Sequence, residues 1–92
     1  MQQNEKMFEE IYQAFLRTYR NQATRKDTAN YLSSVYAMYK PSTYMRYLDS
    51  FLHMMDGTQF ASVVPINLSV YLLQCIERDF GVSALQQALL AE

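Results

Sequence analysis

The chain has 92 residues and a net charge of −1, a length that suits one domain and leaves no room for a second. Half of the residues are apolar and 18% are charged, so a packed core is within reach, while two Gly and two Pro are too few for the turns of a many-stranded barrel or sandwich. One Cys and one His exclude an internal disulfide framework, a multi-Cys metal site and most triad or metal-hydrolase chemistry.

Residues 5–20 predict a first helix. Met7, Phe8, Ile11, Tyr12, Phe15, Leu16 and Tyr19 recur at the spacing of one broad apolar stripe. Asn4 stands where an N-cap belongs, Glu5, Glu9 and Glu10 sit early, and Arg17 and Arg20 sit late, as the helix dipole favours. Residues 21–23 connect to a second helix opened by Thr24, with Asp27 at capping-box spacing. Its apolar face is Ala29, Leu32, Val35, Tyr36 and Tyr39, and Pro41 is expected to stop it. Ser42 or Thr43 then caps a third helix, with Tyr44, Leu48, Phe51, Leu52 and Met55 inward and Gly57 as left-handed terminator.

Residues 58–64 fit a loop, a single turn or a short extended piece. Pro65 suits the first turn of a fourth helix, whose inner face is Leu68, Tyr71, Leu72, Cys75 and Ile76 and which Gly81 closes. Ser83 with Gln86 forms another capping box before a short helix over 84–91, with Leu85, Leu89 and Leu90 as its apolar side. The expectation is one all-α domain over 1–92, an antiparallel four-helix bundle with a short C-terminal fifth helix. No apolar run approaches the roughly 18–20 residues of a membrane span, and the first ten residues carry acids where a signal peptide carries bases. A cytoplasmic location is expected, and a lone Cys agrees with a reducing compartment.

Charge is unevenly spread. Residues 17–46 hold Arg17, Arg20, Arg25, Lys26, Lys40 and Arg46 against Asp27 alone, while the remainder holds two basic and eight acidic residues. Tyr19, Tyr31, Tyr36, Tyr39, Tyr44 and Tyr47 fall within or beside the basic stretch. Basic and aromatic residues together suit an anionic partner, whether nucleic acid, an acidic protein face or lipid headgroups. Tyrosines at helical spacing also serve as core rims with their hydroxyls reaching water.

Few residues carry chemistry. Cys75 lies on the buried stripe of its helix and reads as a structural thiol; a dyad with His53 has no local signature. Glu9 with Glu10, and Glu77 with Asp79, lack the Glu-x-x-His partner of a di-metal bundle and read as solvated faces. Met54 falls off the main stripe of its helix and, with Met38, Met45 and Met55, suggests an adaptable docking surface. No enzyme activity, cofactor or metal is expected.

Three resemblances bear on function. Arg46 and His53, seven residues apart on one helix face, resemble the pair of helical ribonucleases of the HEPN type, although Tyr47 stands where those carry a polar residue. The helical layout over 5–81, with KPSTYMRYLDSF and then LLQCIERDFG, resembles the immunity proteins that protect bacteria from class IIa-type bacteriocins. That resemblance implies a cytosolic antiparallel four-helix bundle that recognises a partner through its C-terminal segment. The chain departs from the family in its closing residues Ile76, Glu77, Arg78, Asp79, Phe80 and Gly81, and in holding three lysines where members are often Lys-rich. KDTANYLSSV followed by PSTYMRYLDSFL is similar to a helix-turn-helix, which implies Ser42 and Thr43 on phosphates and Arg46 on a phosphate or guanine edge. Against it stand a second helix that runs to Pro41 and Asp49 one turn after Arg46.

The expected function is non-enzymatic binding through protein–protein contacts, of the bacteriocin-immunity type, on a protein or a membrane-embedded complex. A helix-turn-helix-like DNA-binding regulator and a phage- or plasmid-borne inhibitor are the alternatives. The expected contact residues are Arg17, Arg20, Arg25 and Lys26 at one pole, and Tyr39, Lys40, Tyr44 and Arg46 at the other, about 20 Å away.

Overall fold

The computed structural model describes residues 2–57 and 64–91, with side chains described for 5–57 and 64–90. The chain is all-α: among the described residues there are five helices and no strand. They are α1 (Gln2–Tyr19), α2 (Arg25–Val35), α3 (Pro41–Asp56), α4 (Ile66–Phe80) and α5 (Val82–Ala91). The chain divides into two compact units, Met1–Leu48 and Asp49–Glu92. The expectation for residues 58–63 lies outside the described residues; Val64, which follows them, is buried.

In the first unit, α1 buries most of its predicted stripe and adds Ala14 to it. Met7, Ile11, Tyr12, Ala14, Phe15 and Leu16 are all buried, an arc of about 200° at 100° per residue. Tyr19 lies within this arc but is exposed in the last turn of the helix, and Phe8 is only half-buried. The helix begins at Gln2, so Asn4 lies inside it rather than capping it. Its other end is a Schellman turn. Asn21 takes the left-handed conformation (φ +61°), its N–H bonds the Thr18 carbonyl at 3.0 Å, and the Gln22 N–H reaches back to the Arg17 carbonyl at 2.7 Å.

Thr24 caps α2 as expected, its hydroxyl oxygen accepting from the Asp27 N–H at 3.1 Å. The predicted length of α2 is corrected: the helix ends at Val35, and residues 36–40 form a separate turn. Ser33, Ser34 and Val35 are weak helix formers, and the Ser34 hydroxyl donates to the Tyr31 carbonyl at 2.8 Å, competing with the ladder. The Tyr36 N–H makes the closing bond to the Leu32 carbonyl at 2.7 Å, and the Tyr36 carbonyl then accepts from the Tyr44 hydroxyl at 2.7 Å instead of continuing the helix. Ala29 and Leu32 are buried as expected, whereas Val35 is exposed. Pro41 opens α3 in place of Ser42 or Thr43, with the Lys40 carbonyl accepting the first bond from Tyr44 at 3.0 Å.

In the second unit the buried arc of α3 lies toward Ser50, Phe51 and Met54, with Leu52 and Met55 only half-buried. Met54 is therefore a core residue, and the docking surface suggested for it is withdrawn. Gly57 ends α3 in the left-handed region as expected, at φ +72°. Pro65 is the N-cap of α4, and Leu68, Leu72, Cys75 and Ile76 are buried on its inner face, with Ser69 beside them and Tyr71 at the rim. Gly81 closes α4 through its N–H on the Glu77 carbonyl and also starts α5, its own carbonyl accepting from the Leu85 N–H at 3.2 Å. The Ser83 capping box is thus corrected, because α5 begins at Val82 and Ser83 lies within it. The inner face of α5 is Ala88, with Ala84 and Leu85 half-buried; Leu89 and Leu90, expected inside, are exposed.

Candidate functional site

Partner contacts across α1 and α2 set the direction of the hairpin. Thr18 meets Thr28, Arg17 meets Tyr31 and Glu10 meets Tyr36, so positions fall along α1 as they rise along α2. The two helices are antiparallel. The end of α1 and the start of α2 therefore share one pole, which carries Arg17, Arg20, Arg25 and Lys26, all exposed, against Asp27.

Local hydrogen bonds tie this pole together. The Thr18 and Thr28 hydroxyls are buried and bond each other at 2.6 Å, and the Schellman turn and the Thr24 cap fix the backbone on either side. The Arg17 guanidinium lies 5.9 Å from the centroid of the exposed Tyr31 ring, a cation–π placement that orders the arginine while leaving its donor edge for an anion. Tyr31, outside the predicted contact set, is the residue that reasoning from charge alone missed. The signal was its position two turns after Thr24 on the outer side of α2, away from buried Ala29 and Leu32.

The other end of α2 is aromatic. Tyr39 stands edge-on to Tyr44 at 5.4 Å and to Tyr47 at 5.2 Å. Tyr44 is fully buried with its hydroxyl committed to Tyr36, so it is corrected from a contact residue to a core residue. Tyr39 is half-buried; Lys40 and Arg46 are exposed. With α2 at 11 residues, its length separates the two poles by about 16 Å rather than 20 Å.

The tyrosines here are hydrogen-bonding groups, not proton donors near neutrality. A hydrogen bond to the Glu10 carboxylate, then burial and the Glu10 charge, push Tyr36 up to about 12. Burial first, and then the neighbouring Tyr39, Tyr36 and Tyr47, push Tyr44 up to about 12. Burial raises Tyr39 as well, with Tyr47 adding to it.

Elsewhere, Cys75 is buried and in no disulfide, and His53 and Arg46 are both exposed on α3. Among the described residues no three His, Cys, Asp or Glu side chains gather as a metal ion would require, and no helix is long and apolar enough to cross a membrane. No family model matches the chain, and no curated protein or solved structure does either.

Proposed function

We propose that this chain is a non-enzymatic binding module whose α1–α2 pole docks on an acidic protein surface. The observation that carries this reading is the Arg17 guanidinium stacked on exposed Tyr31 beside Arg20, Arg25 and Lys26, on a backbone that the Thr18–Thr28 bond holds in place. Arg and Tyr are the residue types that dominate binding hot spots, and a preordered arginine loses less entropy on docking. A buried Cys75 outside any disulfide suits action in a reducing cytoplasm.

The specific form we propose is immunity-type protection, in which the acidic surface belongs to a membrane-embedded complex. It rests on the helical layout and on the segregated charge. The test is expression of the chain in a bacterium sensitive to class IIa bacteriocins. Wild type should protect the cells, and an equally helical Arg20→Glu/Lys26→Glu variant should not. Failure of the wild type to protect against any of a panel of these bacteriocins would remove the immunity form.

One observation favours the DNA-binding alternative. Because α2 ends at Val35, a five-residue turn separates it from α3, and the objection that the second helix is too long no longer stands. The α3 surface then offers Ser42 and Arg46, with Tyr44 and Leu48 buried behind them. Sequence-selective binding to duplex DNA at about 0.15 M salt, lost in Arg46→Ala, would establish that reading over ours.

A further inference from the structure

We infer that Asp27 decides which anionic partners the α1–α2 pole accepts, turning away continuous polyphosphates from a basic surface that an acidic protein can still use. The inference rests on reading this pole as a protein-docking surface. Arg17, Arg20, Arg25 and Lys26 stand there, and such a charge attracts nucleic acid as readily as protein. Selection between the two then depends on where acids interrupt the bases.

Contacts across the helix pair fix the place of Asp27. Thr18 meets Thr28, Arg17 meets Tyr31 and Glu10 meets Tyr36. On α1, Glu10, Gln13, Arg17 and Arg20 follow one another at three- and four-residue spacing, a single row along the groove between the helices. The facing row of α2 runs from Tyr31 back to Asp27, one turn nearer the pole and opposite Arg20. Thr24 Oγ1 accepts from the Asp27 N–H at 3.1 Å, and the residue is otherwise exposed. Arg17 and Arg20 therefore line one wall of the groove, with Tyr31 and Asp27 on the other. Farther along the first wall the charge reverses. Gln13 donates to the Glu9 carboxylate at 2.7 Å, and the Tyr36 hydroxyl bonds Glu10, about 10 Å along the helix from Arg17.

This arrangement admits some anions and repels others. Duplex DNA carries one negative charge about every 1.7 Å of its axis, so a backbone laid over Arg17 and Arg20 also passes Asp27 or runs on toward Glu10. Like charge opposes both placements. The carboxylates of a protein surface are discrete, and the polar side chains between them can offer Asp27 a donor. The pole accordingly fits a compact acidic feature of a protein, about 10 Å across.

The test is fluorescence anisotropy of labelled duplex DNA, about 20 base pairs long, titrated with the full chain at about 0.05 M and about 0.15 M salt. Wild type should bind weakly at the lower salt and not measurably at the higher. Asp27→Asn should bind about fivefold tighter or more at the lower salt, with a steeper dependence on salt. Glu5→Gln removes the same charge at the far end of α1 and should change the affinity by less than about twofold. Arg20→Gln added to Asp27→Asn should abolish the gain, which locates it in this groove. All three positions are exposed, and circular dichroism should show unchanged helicity. Tight binding by the wild type at about 0.15 M salt overturns the inference. So does a gain in Asp27→Asn no larger than that in Glu5→Gln, or one that survives Arg20→Gln. No protein partner enters this measurement, so a missing partner would defeat the docking reading alone.

Discussion

Tyr44 and Thr18 are polar side chains held out of water, and each depends on a single named partner. Thr18→Val leaves the buried Thr28 hydroxyl without its 2.6 Å partner and should cost about 1–3 kcal/mol in chemical denaturation. Adding Thr28→Val removes the orphaned group, so the double variant should recover part of that loss. Tyr44→Phe removes the bond to the Tyr36 carbonyl and should cost about 1 kcal/mol. Tyr44 and its partner Tyr36 also contribute to stability at alkaline pH. Tyr36 and Tyr44 are both raised from 10 to about 12, so the folded state holds protons that the unfolded chain releases. Their contribution is fully present below about pH 10 and is lost as pH climbs toward 12, a fall in melting temperature that should be shallower in Tyr44→Phe. Sequence spacing placed Tyr44 on the inner stripe of α3 but also offered it as a surface anchor. Its true partner is a backbone carbonyl eight residues earlier, and side-chain periodicity carries no record of such a bond.

The ends of α2 and α5 show where local signals run out. Thr24, Gly57, Pro65 and Gly81 were legible because each acts through its own backbone or cap chemistry. The stop at Val35 was not, because the apolar spacing continues through Tyr36 and Tyr39 while the tyrosine cluster draws those residues into a turn. Leu89 and Leu90 likewise satisfied an amphipathic pattern, yet small Ala88 is the residue that faces inward. Close approach explains why a small residue matters in this unit. A Cβ on Gly57 would fall 2.5 Å from the Gln87 side chain of α5, and the backbone there is already at φ +72°. Gly57→Ala should therefore destabilise by about 1 kcal/mol or more. Gly57→Ala combined with Gln87→Ala should relieve the clash but not the backbone strain, and so recover only part of the loss. Gly81→Ala meets nothing within 4 Å and should show the backbone strain alone.

At the scale of the whole chain, helical class and the buried residues Leu48 and Leu72 followed from composition and period, and both residues are fully buried. Leu48→Ala and Leu72→Ala should each cost about 2–5 kcal/mol, measured by thermal or chemical unfolding. The gathering of Arg17, Arg20, Arg25 and Lys26 was legible as well, since a short link between antiparallel helices brings their adjoining ends together. What the pattern could not supply was the ring beneath Arg17 or the buried threonine pair that fixes the pole. The central claim is that this pole meets a protein, and photo-crosslinking in the native cell tests it most directly. A crosslinking residue in place of Arg20 should yield a discrete protease-sensitive adduct, and Arg25→Glu/Lys26→Glu in the same chain should abolish it. An adduct that is sensitive to nuclease instead, or one that survives the charge reversal, would contradict the account.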